Sequence, residues 1–258
     1  MKKDKAILGA LISLFVVGST AQESMYEEMV TDRPDQTESS SLVPKDFLQV
    51  ETGMFFESNE DLEIHGFNTT LFRYGLLENL ELRLGSEFYE IKQEFPEGKE
   101  IVREAGFAPL LVGAKIGITE EKGLLPEMGL LLHLYLPFTV KEEYRPETTA
   151  FDFRFAFSHN VSKNTDLSYN FGAGWGPEVG DVTYFYTLAY GISISRKLGI
   201  FGEVYGDLPP MGAAKHFWDA GLTFSLMTNL QLDAYAGTGI NSPQDLAAGA
   251  GISYRFPH

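Results

Sequence analysis

Charged side chains recur in this chain at alternate positions of otherwise apolar stretches, and any chemistry it performs has to be built from them. Glu51, Arg73, Glu81, Arg83, Glu87, Lys115, His133, Asp152, Arg154, Glu203, Asp219, Asp233 and Arg255 all stand in this setting. Such a mixture of signs lines water, binds polar solutes, or pairs with itself. Nucleophilic catalysis is poorly served. Ser158 and His159 are adjacent and so point to opposite faces of a strand. His65 and His216 stand near loops, and no Gly-x-Ser-x-Gly elbow occurs. Metal binding fares no better, with no cysteine and no His-x-x-x-His or calcium-loop spacing. The reading is of a protein that is not an enzyme and carries no cofactor.

A second group, Thr31, Asp32, Arg33, Pro34, Asp35, Gln36 and Thr37, precedes all of these in an acidic segment without alternation. Pro34 and Pro44 favour extended or turn geometry there. Residues 22–46 are therefore not a strand. They form either a solvated periplasmic segment or a short plug in which Arg33 pairs with a carboxylate of the inner wall.

The elements that position these groups follow from period-two patterning, which turns successive side chains to opposite faces of a strand. In the run from Phe151 to Ser158, four phenylalanines share one face, while Asp152, Arg154, Ala156 and Ser158 share the other. Tyr184, Tyr186, Leu188 and Tyr190 oppose Phe185, Thr187 and Ala189 in the same manner, as do Leu80, Leu82 and Leu84 against Glu81, Arg83 and Gly85. The pattern predicts strands near 47–57, 64–76, 80–92, 106–118, 126–139, 150–160, 165–175, 181–195, 198–207, 216–227, 230–238 and 246–256. Most match the ~9–11 residues a tilted strand needs to cross a bilayer. Tight connections at 77–79, 161–164, 196–197 and 228–229 follow even-numbered strands, whereas 93–105, 140–149 and 208–215 read as long loops. The connection from Thr119 to Leu125 is longer than its class. Short turns face the periplasm in outer-membrane barrels, so both ends of the barrel should be periplasmic.

The fold class is thus all-β: a transmembrane, antiparallel, up-and-down β-barrel of about twelve strands, an even number, occupying residues 47–258. A soluble β-sandwich or lipocalin-like barrel also alternates, but turns its polar face outward. Here the apolar faces are broad and aromatic-rich on nearly every strand. Aromatics make up 13% of the chain, and many of its 26 glycines sit inside apolar stretches, as a crowded inner wall requires. Trp175, Tyr184, Tyr186, Trp218 and Tyr254 stand near strand ends, where interfacial girdles form.

Export is expected as well. Lys2, Lys3 and Lys5 precede an apolar run from Ala6 to Val17, and Ser19-Thr20-Ala21 offers small residues for cleavage, making 1–21 a signal peptide and Gln22 the mature start. That run is shorter than the ~20 residues of a spanning helix. A net charge of −16 argues against nucleic acid as a partner. The partners expected are outer-membrane lipid, the barrel assembly machinery, for which the terminal alternation from Leu246 to Phe256 resembles a recognition strand, and a small solute; the barrel is expected to be a monomer.

The succession from Thr31 to Ser39, then Val43-Pro44, then Leu48-Gln49-Val50-Glu51-Thr52-Gly53, resembles the start of the "putative MetA-pathway of phenol degradation" family. Arg73-Tyr74-Gly75-Leu76, Asn79 to Arg83 and Gly113-Ala114-Lys115 continue the likeness. Where the family often has Leu-Pro-x-Gly, this chain has Leu136-Pro137-Phe138-Thr139. The resemblance implies an outer-membrane barrel of transporter type, linked by label to aromatic-compound degradation. Two functions follow: a channel or transporter for a small hydrophobic or aromatic solute, with the charged wall as a selectivity lining, or a closed structural or adhesion barrel with a lumen plugged by ion pairs and binding loops outside.

Overall fold

The computed structural model describes residues 29–95, 101–146, 148–176 and 182–257. The expected signal peptide and the mature start at Gln22 lie outside the described residues. The chain forms one antiparallel sheet from β1 (Leu48–Asn59), β2 (Leu62–Leu77), β3 (Leu80–Glu94), β4 (Ile101–Phe107), β5 (Leu110–Thr119), β6 (Glu127–Leu136), β7 (Ala150–Ser162), β8 (Thr165–Trp175), β9 (Val182–Ser193), β10 (Leu198–Leu208), β11 (Lys215–Met227), β12 (Leu230–Gly239) and β13 (Gln244–Arg255). Apart from β4 and β5, each strand pairs with its neighbour in sequence, and β1 pairs with β13, so the sheet closes on itself. β4 and β5 both pair with β3 and are two halves of one barrel strand, interrupted at Ala108 and Pro109. Proline has no N–H to give to the ladder. The result is a closed barrel of twelve strands.

Four connections differ from the sequence reading. The expected loop at 93–105 is largely strand, because β3 continues to Glu94 and β4 starts at Ile101. Neither face of this hairpin is uniformly apolar, which hides its alternation; the backbone ladder carries it, with Phe88 and Phe107 edge to face at 5.1 Å. The strand expected to run to 139 ends at Leu136, where Pro137 opens a 3-10 turn, Pro137–Thr139. The long connection after Thr119 is a small hairpin of its own, in which Lys122 and Leu125 exchange backbone hydrogen bonds of 2.9 and 3.1 Å around Gly123. Tight turns are also not confined to one end, since only Glu60 and Asp61 separate β1 from β2.

The distribution of polarity is that of a soluble protein turned inside out. Leu82, Leu84, Val112, Leu134, Phe171, Leu188, Val204, Leu222 and Ile252 are exposed on the outer face. Arg73, Glu81 and Lys115 are at 0% exposure on the inner one. With water outside, this arrangement would leave a continuous apolar surface wet all round the wall, whereas hydrocarbon covers it without cost. Trp175, Tyr184 and Trp218 are exposed towards one end of the barrel, at the close of β8 and the openings of β9 and β11. Tyr254 stands at the other end.

Candidate functional site

The lumen is occupied by the chain's own N-terminal segment. Asp32 lies at its anchored part. Its carboxylate accepts from Lys115 Nζ at 2.8 and 2.9 Å and from Arg83 Nη1 at 2.6 Å, and it lies 3.1 Å from Arg73 Nη1. Its backbone N–H donates to Glu51 at 3.1 Å. Arg73 in turn grips Glu81 with two bonds, Nε to Oε1 at 2.9 Å and Nη2 to Oε2 at 3.0 Å, and donates Nη1 to Glu51 at 2.7 Å. Arg83 reaches Glu38 at 2.9 Å. Three cations and four carboxylates thus share one nearly dry cluster on β1, β2, β3, β5 and the plug. A buried charge is tolerated only when paired and hydrogen-bonded, and each of these charges is. Burial pushes the Asp32 carboxyl up, but Arg73, Lys115 and Arg83 outweigh it and hold the group well below the usual carboxylate range.

Arg33 reaches the adjoining stretch of wall, formed by β2, β1, β13 and β12. Its Nη2 and Nε meet Asp233 Oδ1 and Oδ2 at 3.1 and 3.3 Å, and Nη1 donates to Thr69 at 3.3 Å. It lies flat against Gly53 and Gly251, which face each other across β1 and β13. A Cβ at either glycine would come within about 2.5 Å of the guanidinium. The inner wall is glycine there because a side chain has to pass. Gly75 plays the same part at the segment's exit, where a Cβ would lie 2.1 Å from the Pro44 carbonyl and where Asp46 N–H donates to the Gly75 carbonyl at 2.7 Å.

The tip of the segment is held by the β7 to β10 wall. Gln36 N–H donates to Glu203 at 2.8 Å, Thr37 hydroxyl contacts both Glu203 and Thr187, and Arg154 Nη1 donates to the Gln36 carbonyl at 2.7 Å while its guanidinium sits over Phe185. Asn170 accepts the Glu38 N–H at 2.8 Å and returns a bond to the Glu38 carbonyl at 2.9 Å, as a paired strand would. Asp35 lies near Glu203 and Asp219, and burial followed by the Glu203 charge raises its carboxyl well above the ordinary value. Asp219 is buried opposite Glu203 in the ladder, and neither of its carboxylate oxygens has a hydrogen-bond partner among the described residues.

The other wall residues are placed as follows. His133 Nδ1 and Tyr135 hydroxyl both contact Asp152, at 3.2 and 2.7 Å. Glu87 stands above the plug beside a cavity of about 470 Å³. Arg255 is buried at the end of β13, opposite Gln49. Pro34 is buried beneath the cavity, and Thr31 hydroxyl accepts from Gln231 at 2.8 Å. Glu38, Gln49 and Asn170 were not singled out from the sequence, although Gln49 and Asn170 occupy inward positions of their strands and the alternation alone would have found them. What the arrangement does chemically is hold a strap across a pore and leave an acidic, partly aromatic space above it.

Comparison with known proteins agrees with this architecture. The model of the family described as "Putative MetA-pathway of phenol degradation" matches residues 31–256. Among solved structures, the COG4313 outer membrane channel from Pseudomonas putida F1 superposes with a TM-score of 0.67 at 11% identity, covering 87% of this chain and 99% of that one. The KdgM porin gives 0.55 at 10% identity, over 80% of this chain and 99% of its own, and the NanC porin 0.52 at 9%, over 80% and 98%. At such identities the likeness is one of fold: a closed barrel of the outer-membrane channel type. No curated protein matches the chain.

Proposed function

The chain belongs to the "Putative MetA-pathway of phenol degradation" family, and from that premise we propose that it is a channel or transporter of the Gram-negative outer membrane that passes a small hydrophobic or aromatic solute. It is not an enzyme in this reading. The observation that carries the proposal is the cavity beside the plug. A strap crosses the lumen without filling it, and the space left is lined by Phe55, Leu71, Leu111, Tyr135 and Tyr235 together with charged groups. The apolar and aromatic side chains give a solute body a surface to lie on, and the charged groups around them can fix its orientation. The thirteen wall residues act as the lining, and Thr31 to Thr37 as a gate fixed at Asp32. One chain completes the barrel, which suits a monomer, and the alternating β13 suits recognition by the barrel assembly machinery.

The ion-paired cluster favours a second reading, a permanently closed barrel. Single-channel recording on the refolded mature protein separates the two. Ohmic steps of uniform size are expected from the channel; silence from protein that shows heat-modifiable migration on a gel selects the closed barrel.

The proposed orientation places both ends of the barrel in the periplasm and the 137–149 connection outside. A protease site inserted within 140–149 is then expected to be cut on intact cells, and one at 163–164 to be spared. Cutting at 163–164 inverts the orientation.

A further inference from the structure

We propose that the cavity above the plug is a binding site for an organic cation, a solute carrying one amine or quaternary ammonium group on a small apolar or aromatic body. The inference deepens the channel reading by naming a solute class. Its geometry rests on the cavity alone.

Three observations lead to it. The cavity, about 470 Å³, falls in the size range of small-molecule sites. Phe55, Leu71 and Tyr235 give it an apolar and aromatic side. Its charges are unevenly spent. The lining cations are Arg33 and Arg83, and both are already engaged, Arg33 by Asp233 and Arg83 by Asp32, Glu38 and Glu81. The lining carboxylates Asp35, Glu57 and Glu87 have no ion pair within 4 Å among the described residues, and they look onto the same space. An anionic solute entering here meets the Glu57 and Glu87 carboxylates and finds no free cation among the described lining residues. A solute with an ammonium group supplies the missing partner for Glu57 and Glu87, while its body covers the rings. Cation attraction to the Tyr235 and Phe55 faces adds to the same preference.

The test is isothermal titration calorimetry on the full mature chain in detergent at pH 7, with 2-phenylethylammonium and 2-phenylacetate as probes. They share a body and differ in the sign of one group. Saturable binding of the ammonium probe with no measurable binding of phenylacetate is expected, together with a loss of about tenfold in affinity for the ammonium probe in the Glu57→Gln/Glu87→Gln variant. Equal binding of both probes, no binding of the ammonium probe, or unchanged affinity in the folded variant overturns the proposal. The contrast between the probes on the unaltered chain requires no variant to fold. A silent bilayer recording alongside selective ammonium binding would defeat the channel reading and leave this site standing; conduction without selective binding would do the reverse.

Discussion

Asp32→Asn is expected to destabilise the folded barrel by about 3–5 kcal/mol and to free the N-terminal segment from the lumen. The size follows from what the substitution leaves behind. Arg73 keeps Glu51 and Glu81, and Arg83 keeps Glu38 and Glu81. Lys115 loses its one ion pair within 4 Å among the described residues; its remaining bonds are to the Ser39 and Ser41 carbonyls, and Glu81, opposite it in the β3–β5 ladder, is the carboxylate left nearby. A fully buried ammonium stripped of its hydrogen-bonded carboxylate is the costly case. Urea unfolding followed by heat-modifiable migration measures the loss. The double variant Asp32→Asn/Lys115→Met should recover much of it, since the orphaned charge is then gone, and a double-mutant cycle reads the coupling directly. Losses that simply add would mean that the two groups do not share the interaction described. In bilayers, the single variant should also conduct more current than the unaltered protein, the strap having lost its anchor.

The second large effect belongs to the outer face. Phe155→Arg is expected to cost about 2–4 kcal/mol in lipid vesicles, the range for a charge near the bilayer midplane. Phe155 is central in β7, opposite Leu130 on β6 and Phe171 on β8, and its ring lies 5.9 Å from that of Phe171. Nothing at this position offers a guanidinium a partner. A change below about 1 kcal/mol, well under that range, would show that hydrocarbon does not meet this face.

Much of the barrel was legible because its two faces demand opposite polarity, and that demand writes itself into the chain one residue at a time. β8 and the β10 to β12 run are located to within a residue or so by alternation alone. The outer part of the β3 and β4 hairpin, within 93–105, reads as a loop because its strands obey only the backbone: Gln93, Glu94, Arg103 and Glu104 leave neither face apolar. The inward charges were equally visible as the minority face of each strand. Their partners were not. Arg33 and Asp233 are 200 residues apart, and nothing local in either says that the other completes it. The paired glycines at Gly53 and Gly251 carried half of that message, since an inner wall stripped of side chains at two facing positions makes room for something. Only the assembled barrel says for what.

The same long-range pairing sets the order in which the molecule can be completed. Residues 31 to 37 are made before any strand, yet the groups that receive them are spread over the whole wall, with Gln231 and Asp233 on the penultimate strand. Closing so long a loop is entropically costly until strands in between have already brought its ends near. Asp32 finds its partners on β1, β2, β3 and β5, but Thr31 and Arg33 must wait, undocked, until β12 is in place. When β13 finally zips to β1, it brings Gly251 against Gly53 and finishes the slot for Arg33. Seam and strap are completed by one event, so a barrel that has not closed cannot finish docking its plug.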